Sequence, residues 1–228
     1  MAIQIRKPEW GATRPICGIL FDMDGLVVDT EKLYSRFWRE ACCFYGYEMT
    51  YEQSLKMRGL GGQAGEAMLH SFFGTGADYL ALRSKRIELM DAFVEEHGVE
   101  LKPGIFELMD FLEEKGIPAA ITSSSPIPRI RKFLAPYGLD SRFAALCSGR
   151  DVAHGKPAPD IYLAGAAALG LPAERCLALE DAPAGIESAY RAGCLPVMIP
   201  DLDQPGPETA AMLYAKADAL TDVISLWK

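Results

Sequence analysis

Two aspartates two residues apart, Asp22 and Asp24, follow a short apolar run at Ile16, Ile19, Leu20 and Phe21, and Gly25 then breaks the run. In an extended segment, residues 22 and 24 share a face. Two carboxylates on one face at the mouth of a buried strand repel each other unless a cation neutralises them, so the pair suggests a hard metal with oxygen ligands, Mg²⁺ first. A lone Asp-x-Asp is also compatible with a solvated turn, and the tripeptide alone does not separate the two.

Three further clusters carry candidate chemistry. Ile121-Thr122-Ser123-Ser124-Ser125 closes a second apolar run, and hydroxyls with free backbone N–H groups there could bind a phosphoryl oxygen or simply cap the next helix. His154-Gly155-Lys156-Pro157-Ala158-Pro159-Asp160 holds one lysine between a glycine and two prolines, a stiff loop suited to a fixed cation and equally to a surface turn. His154 has no assigned role. In Leu177-Ala178-Leu179-Glu180-Asp181-Ala182-Pro183 an apolar strand ends in two acids. Neighbouring strand side chains point oppositely, so one of the two, Asp181 by preference, is expected to bind a metal directly. Asp181 could instead serve the dipole of the following helix.

These clusters need a scaffold that brings strand ends together. From residue 104 onward, helical patterns near 104–115, 127–135, 159–169 and 183–192 alternate with strand-length runs at 118–122, 144–147, 176–179 and 195–199. That alternation predicts an α/β fold with a parallel sheet and helices on both faces, joined by the strand at 16–21. Open parallel sheets place ligand sites at strand ends, which is where all the clusters fall. Residues 31–101 read differently, as about four helices and almost no β-branched runs. Tyr34, Phe37, Trp38, Ala41 and Phe44 or Tyr45 follow helical spacing and predict one buried face. An all-helical insert directly after the acidic turn is expected to act as a cap or lid.

Composition narrows the partners. The chain has 228 residues, half of them apolar, enough for one large or two modest domains. Its net charge of −8 disfavours nucleic acid and anionic membrane, so no partner of either kind is expected and any anionic substrate must be held by local cations. The six cysteines show no CxxC pair and no zinc spacing, and they read as reduced, mostly buried thiols. The opening MAIQIRKPEWGATRP lacks the roughly 7 to 15 residue apolar core of a signal peptide, and no later run approaches a membrane span, so a cytoplasmic protein is expected.

Taken together, Asp22-Met23-Asp24-Gly25, Ser123, Lys156 and Glu180-Asp181 resemble, in order and spacing, the four motifs of the haloacid dehalogenase superfamily of phosphohydrolases. DMDGLVVDTE, GKPAPDIYL and LEDAPAGIESAYRAG are similar to its β-phosphoglucomutase-like group, which also holds sugar-phosphate phosphatases. LFDMDGL, DTEKLY, TSS and HGKPAPDIYLA further resemble the pseudouridine-5′-phosphatase members of that group. The resemblance implies a Rossmann-like three-layer core with a parallel sheet (1–30 and 102–228) and an all-helical cap domain inserted after the first strand (31–101). It implies a small phosphorylated substrate, and a monomer or weak dimer is expected.

The implied roles are Asp22 as nucleophile, Asp24 as acid and then base, and Ser123 and Lys156 around the phosphoryl oxygens with Ser124 beside them. Mg²⁺ is implied at Asp22, the Asp24 carbonyl and Asp181, with Glu180 close by. Substrate contacts are expected in the insert around Arg58 and Gly59. The mutases of the group carry a Gly-x-x-Arg loop there, whereas this chain reads Arg58-Gly59-Leu60-Gly61-Gly62, with Gly62 in the arginine's place. Arg58 or Arg129 could compensate. A phosphatase is therefore expected over a phosphosugar mutase, and a silent metabolite- or protein-binding domain is a further alternative.

Overall fold

A computed structural model describes residues 3–13, 15–58, 60 and 62–227. The chain divides into two compact units, Met1–Val28 with Leu101–Lys228, and Asp29–Glu100.

The first unit carries a seven-stranded sheet of β1 (Gln4–Ile5), β2 (Gly18–Phe21), β3 (Ala119–Ser123), β4 (Ala145–Ser148), β5 (Cys176–Glu180), β6 (Leu195–Met198) and β7 (Ala215–Lys216). The order is β1-β7-β6-β5-β2-β3-β4. Every pairing is parallel except β1 with β7. The two-residue strands β1 and β7 and the late helices were not anticipated by the sequence pattern, which weakens after residue 199. Around the sheet run α1 (Pro8–Thr13), α6 (Ile105–Lys115), α7 (Ile127–Leu134), α8 (Asp160–Ala168), α9 (Pro183–Arg191) and α10 (Pro207–Met212).

Register explains why distant acids converge. Phe21 at the end of β2 pairs with Leu179 of β5 on one side and Ile121 of β3 on the other. The residues just beyond, Asp22, Glu180 and Thr122–Ser123, therefore emerge side by side from three adjacent strands. The Asp22 N–H donates to the Leu179 carbonyl at 3.0 Å, extending the ladder to the first acid.

Alternation assigns the core. Leu20, Ala120 and Ala178 share one face and pack with Ile161, Tyr162 and Ala166 of α8 and Ala189 of α9. Ile19, Phe21, Ile121, Leu177 and Leu179 alternate with them and are wholly buried, with Phe21 meeting the Phe143 ring edge-on at 5.5 Å. The strand alanines let α8 approach closely. A Cβ at Gly165 would lie 2.5 Å from Thr122 Cγ2 and 3.1 Å from Leu20 Cδ2. Gly165→Ala is therefore expected to cost about 1–3 kcal/mol through overpacking, read as a lower urea midpoint. An unchanged midpoint would mean that α8 can shift away without loss.

The second unit comprises α2 (Glu31–Phe44), α3 (Tyr51–Lys56), α4 (Gly62–Phe73) and α5 (Tyr79–His97). Thr50 and Gln53 form a reciprocal capping box at the start of α3, and Asp78 caps α5. Its core joins Trp38, Cys42, Met49, Met57, Leu69, Ala77, Tyr79 and Leu82. The expected aromatic face of α2 is only partly correct. Phe37, Trp38 and Ala41 are buried, but Phe44 is 64 % exposed and Tyr45 45 %, because α2 ends at Phe44 and the face continues through Cys42 instead.

All six cysteines are free thiols, with Cys42, Cys176 and Cys194 buried and Cys43 exposed. Burial pushes the Cys42 thiol up to about 12 and that of Cys176 up to about 11, which keeps both protonated and unreactive. No described helix is long and apolar enough to cross a membrane.

Candidate active site

The turn after β2 is built by the backbone. The N–H groups of Val27 and Val28 donate to the Met23 carbonyl at 2.9 and 3.1 Å, and Gly25, at φ 85°, supplies the left-handed residue that the reversal requires. Asp22 is thereby buried, while Asp24 stays half-exposed.

Asp22, Glu180 and Asp181 offer ligand oxygens that all lie within 4.8 Å of one another, and all three residues are buried. The strand alternation expected to separate Glu180 from Asp181 stops with β5 at Glu180, so both acids reach the cluster. Lys156 projects between them. Its Nζ donates to Asp22 Oδ1 at 2.5 Å and to Glu180 Oε1 at 2.6 Å, with only 10 % of the side chain exposed.

The loop carrying Lys156 is fixed at several points. Ser188 of α9 donates to the Ala158 carbonyl at 2.5 Å, and the backbone and ring of His154 both meet Asp160 Oδ1 at 3.1 Å. His154 is thus a loop tie at the start of α8, largely exposed.

The electrostatics follow from burial and proximity. Loss of water raises the Asp22 carboxyl to about 8, with Glu180 and Asp24 adding to the rise and Lys156 opposing it. Burial works against the Lys156 charge, yet Asp22 and Glu180 outweigh it and hold the ammonium above the ordinary lysine range. Three buried acids gathered beside one ammonium make an all-oxygen donor set that fits a hard divalent cation. Glu180 Oε1 is already engaged by Lys156 and by the Tyr162 hydroxyl, the latter at 2.5 Å.

Asp24 has a separate environment. Its Oδ2 accepts from Ser125 Oγ at 3.1 Å and lies 3.4 Å from Ser123 Oγ, while the Ser125 N–H donates to Ser123 Oγ at 3.0 Å. Ser123 and Ser125 are buried at the end of β3, whereas Ser124 is exposed. The sequence assigns no individual role to Ser125 or Tyr162. Ser125 was visible in the hydroxyl run, but its orienting of Asp24 depends on a contact across 101 positions. Tyr162 sits in an apolar helix, where a buried phenol needs a partner, and that requirement was the available signal.

In the second unit, Arg58 Nε pairs with Glu31 Oε2 at 2.8 Å, both side chains largely buried. Gly59 lies outside the described residues. Gly62, where a mutase arginine would be expected, has φ 53°, a left-handed backbone that favours glycine. Arg129, on α7, places its guanidinium 5.9 Å from the Phe133 ring.

Comparison with known proteins identifies the family. Residues 16–193 match the family described as haloacid dehalogenase-like hydrolase. Hexitol phosphatase A of Escherichia coli K12 is 36 % identical over 177 residues, 78 % of this chain and 80 % of that protein. The phosphorylated carbohydrates phosphatase of Thermotoga maritima is 30 % identical over 175 residues, 77 % of this chain and 81 % of that one. The crystal structure of CbbY from Rhodobacter sphaeroides in complex with phosphate superposes with a TM-score of 0.76 at 26 % identity, covering 91 % of this chain and 96 % of that one. From motif order, fold and sequence match together, this chain belongs to the haloacid dehalogenase-like hydrolases.

Proposed function

We propose that this protein is a magnesium-dependent phosphatase that hydrolyses a phosphorylated sugar, sugar alcohol or similar phosphomonoester through an aspartyl phosphate on Asp22. The observation that carries the reading is the buried Asp22–Glu180–Asp181 cluster with Lys156 bridging Asp22 and Glu180, next to a separately oriented Asp24. Asp22 and Asp181, with the Asp24 carbonyl and Glu180 close by, would hold Mg²⁺, which when bound neutralises charge between nucleophile and phosphoryl group.

The Asp22 carboxylate attacks phosphorus and splits one hard displacement into two easier ones. Asp24, aligned by Ser125, gives its proton to the departing alkoxide and then takes one from the water that hydrolyses the acyl phosphate. Ser123 and Lys156 hold phosphoryl oxygens, Lys156 as the fixed positive charge, and Ser124 supplies an outer contact. Names of relatives such as hexitol phosphatase and phosphorylated carbohydrates phosphatase support a polyol or sugar phosphate as the substrate class. Arg58 and Gly59 are assigned to substrate contact, Arg58 as a cation already engaged by Glu31. The six free thiols support a reducing, cytoplasmic setting.

Mg²⁺ added to metal-free protein at about one hundred times its Kd should stabilise it by about 2.7 kcal/mol, raising Tm by about 5–10 °C. Release of inorganic phosphate from sugar and polyol phosphates should require the same ion. A flat thermal response together with metal-independent turnover would remove the assignment.

A further inference from the structure

The hydroxyl of Tyr162 has no part in the chemistry above, yet it lies inside the charge cluster. Tyr162 is completely buried on α8, and its hydroxyl donates to Glu180 Oε1 at 2.5 Å. The same oxygen accepts Lys156 Nζ at 2.6 Å, and that ammonium reaches Asp22 Oδ1 at 2.5 Å. Lys156 Nζ also stands 5.1 Å from the centre of the tyrosine ring, so ring and hydroxyl address the two halves of one ion pair. On its other side, the Glu180 carboxylate is pressed against α9, where a Cβ on Gly185 would overlap it.

Filling the core explains the ring but not the hydroxyl. Phenylalanine has nearly the same shape and brings no polar atom that must be satisfied on burial. The hydroxyl donates to one of the two carboxylates that hold Lys156, and a hydrogen bond to a charged group is among the stronger ones. Confined by Gly185 behind and by two donors in front, Glu180 has little freedom to turn.

We infer that Tyr162 is a positioning residue of this hydrolase site, whose hydroxyl locks the Glu180 carboxylate so that Lys156 stays shared with Asp22 and the three acids stay poised for the metal. The inference rests on the reading of the site as a metal-dependent phosphatase centre. Without the hydroxyl, Lys156 is the remaining donor to Glu180 Oε1, the carboxylate can rotate, and the ammonium follows it away from Asp22. Loss of such an outer partner ordinarily costs about 10- to 100-fold in metal affinity or activity.

The test titrates Mg²⁺ alone into metal-free full-length protein by calorimetry, comparing wild type with Tyr162→Phe, and follows kcat and KM for phosphate release. The expected result is a Mg²⁺ Kd raised about 10-fold or more and a comparable fall in kcat, with KM little changed. In a Glu180→Gln background, adding Tyr162→Phe should change the Kd little, because both substitutions break one device. An unchanged Kd in Tyr162→Phe overturns the inference, and so does a loss of equal size in both backgrounds, which would place the hydroxyl's action elsewhere. Should Tyr162→Phe unfold below the assay temperature, 4-fluorophenylalanine at position 162 fills the space of the hydroxyl without its donor, and an unmoved Kd there would equally overturn it. The Kd does not depend on turnover, so it fails separately from the phosphatase reading, which falls if Asp22→Asn remains active.

Discussion

Asp22→Asn is expected to lower turnover on the order of 10⁴-fold or more, the scale on which covalent catalysts lose activity when their nucleophile is removed. The substitution is nearly isosteric, and the amide oxygen can still accept from Lys156, so far-UV circular dichroism and the urea midpoint of the metal-free protein should stay close to wild type. The site gives a reason for that tolerance. Asp22 is buried, and its carboxyl is raised to about 8 chiefly by loss of water, so the ionised form is a cost to the fold that a neutral side chain does not carry. A variant that keeps its fold and most of its activity would remove Asp22 from the reaction.

The second large effect is expected at Lys156, where the consequence reaches stability as well as rate. Lys156→Met leaves Asp22 and Glu180 facing each other without the ammonium that now bonds both. Breaking a buried pair by deleting one partner typically costs about 3–5 kcal/mol, because the remaining charge is uncompensated. Turnover should fall at the same time by on the order of 10³-fold, as for loss of a fixed group that stabilises developing charge.

The pH dependence has a definite sign. With its carboxyl raised from 3.8 to about 8 in the fold, Asp22 binds more proton in the native than in the unfolded state across that window. Stability of the metal-free protein should therefore fall as pH rises from about 4 to about 8. Removing Lys156 removes the one influence that lowers the Asp22 value among those with Glu180 and Asp24, so the destabilisation should be larger at pH 8 than at pH 5. Equal urea midpoints for Lys156→Met and wild type at pH 8 would contradict this electrostatic picture.

Much of the parallel core was legible because each strand is an apolar run closed by a polar switch. Phe21 to Asp22, Ile121 to Thr122 and Leu179 to Glu180 all mark the ends of adjacent strands, and the register of β5, β2 and β3 turns those switches into neighbours. The strands β1 and β7 carry no such signal, since two residues are too few for alternation to show. Phe44 and Tyr45 misled because spacing alone cannot tell that a helix is about to end. Within the site, residue type announced the acids and the lysine, but partnership did not. The tie from Tyr162 to Glu180 and that from Ser125 to Asp24 exist only through tertiary contact, and Glu180 and Asp181 came together because the strand stops between them.

Chemical trapping at Asp22 tests the central claim most directly. Asp24→Asn, which lacks the base for the second step, should accumulate phosphorylated enzyme when mixed with Mg²⁺ and a reactive phosphomonoester. Borohydride reduction of an aspartyl phosphate yields homoserine, which peptide mass spectrometry locates. The expected result is homoserine at position 22 that is absent when substrate or Mg²⁺ is left out. Homoserine at another position, or an unmodified Asp22 in enzyme that is turning over, would contradict the account.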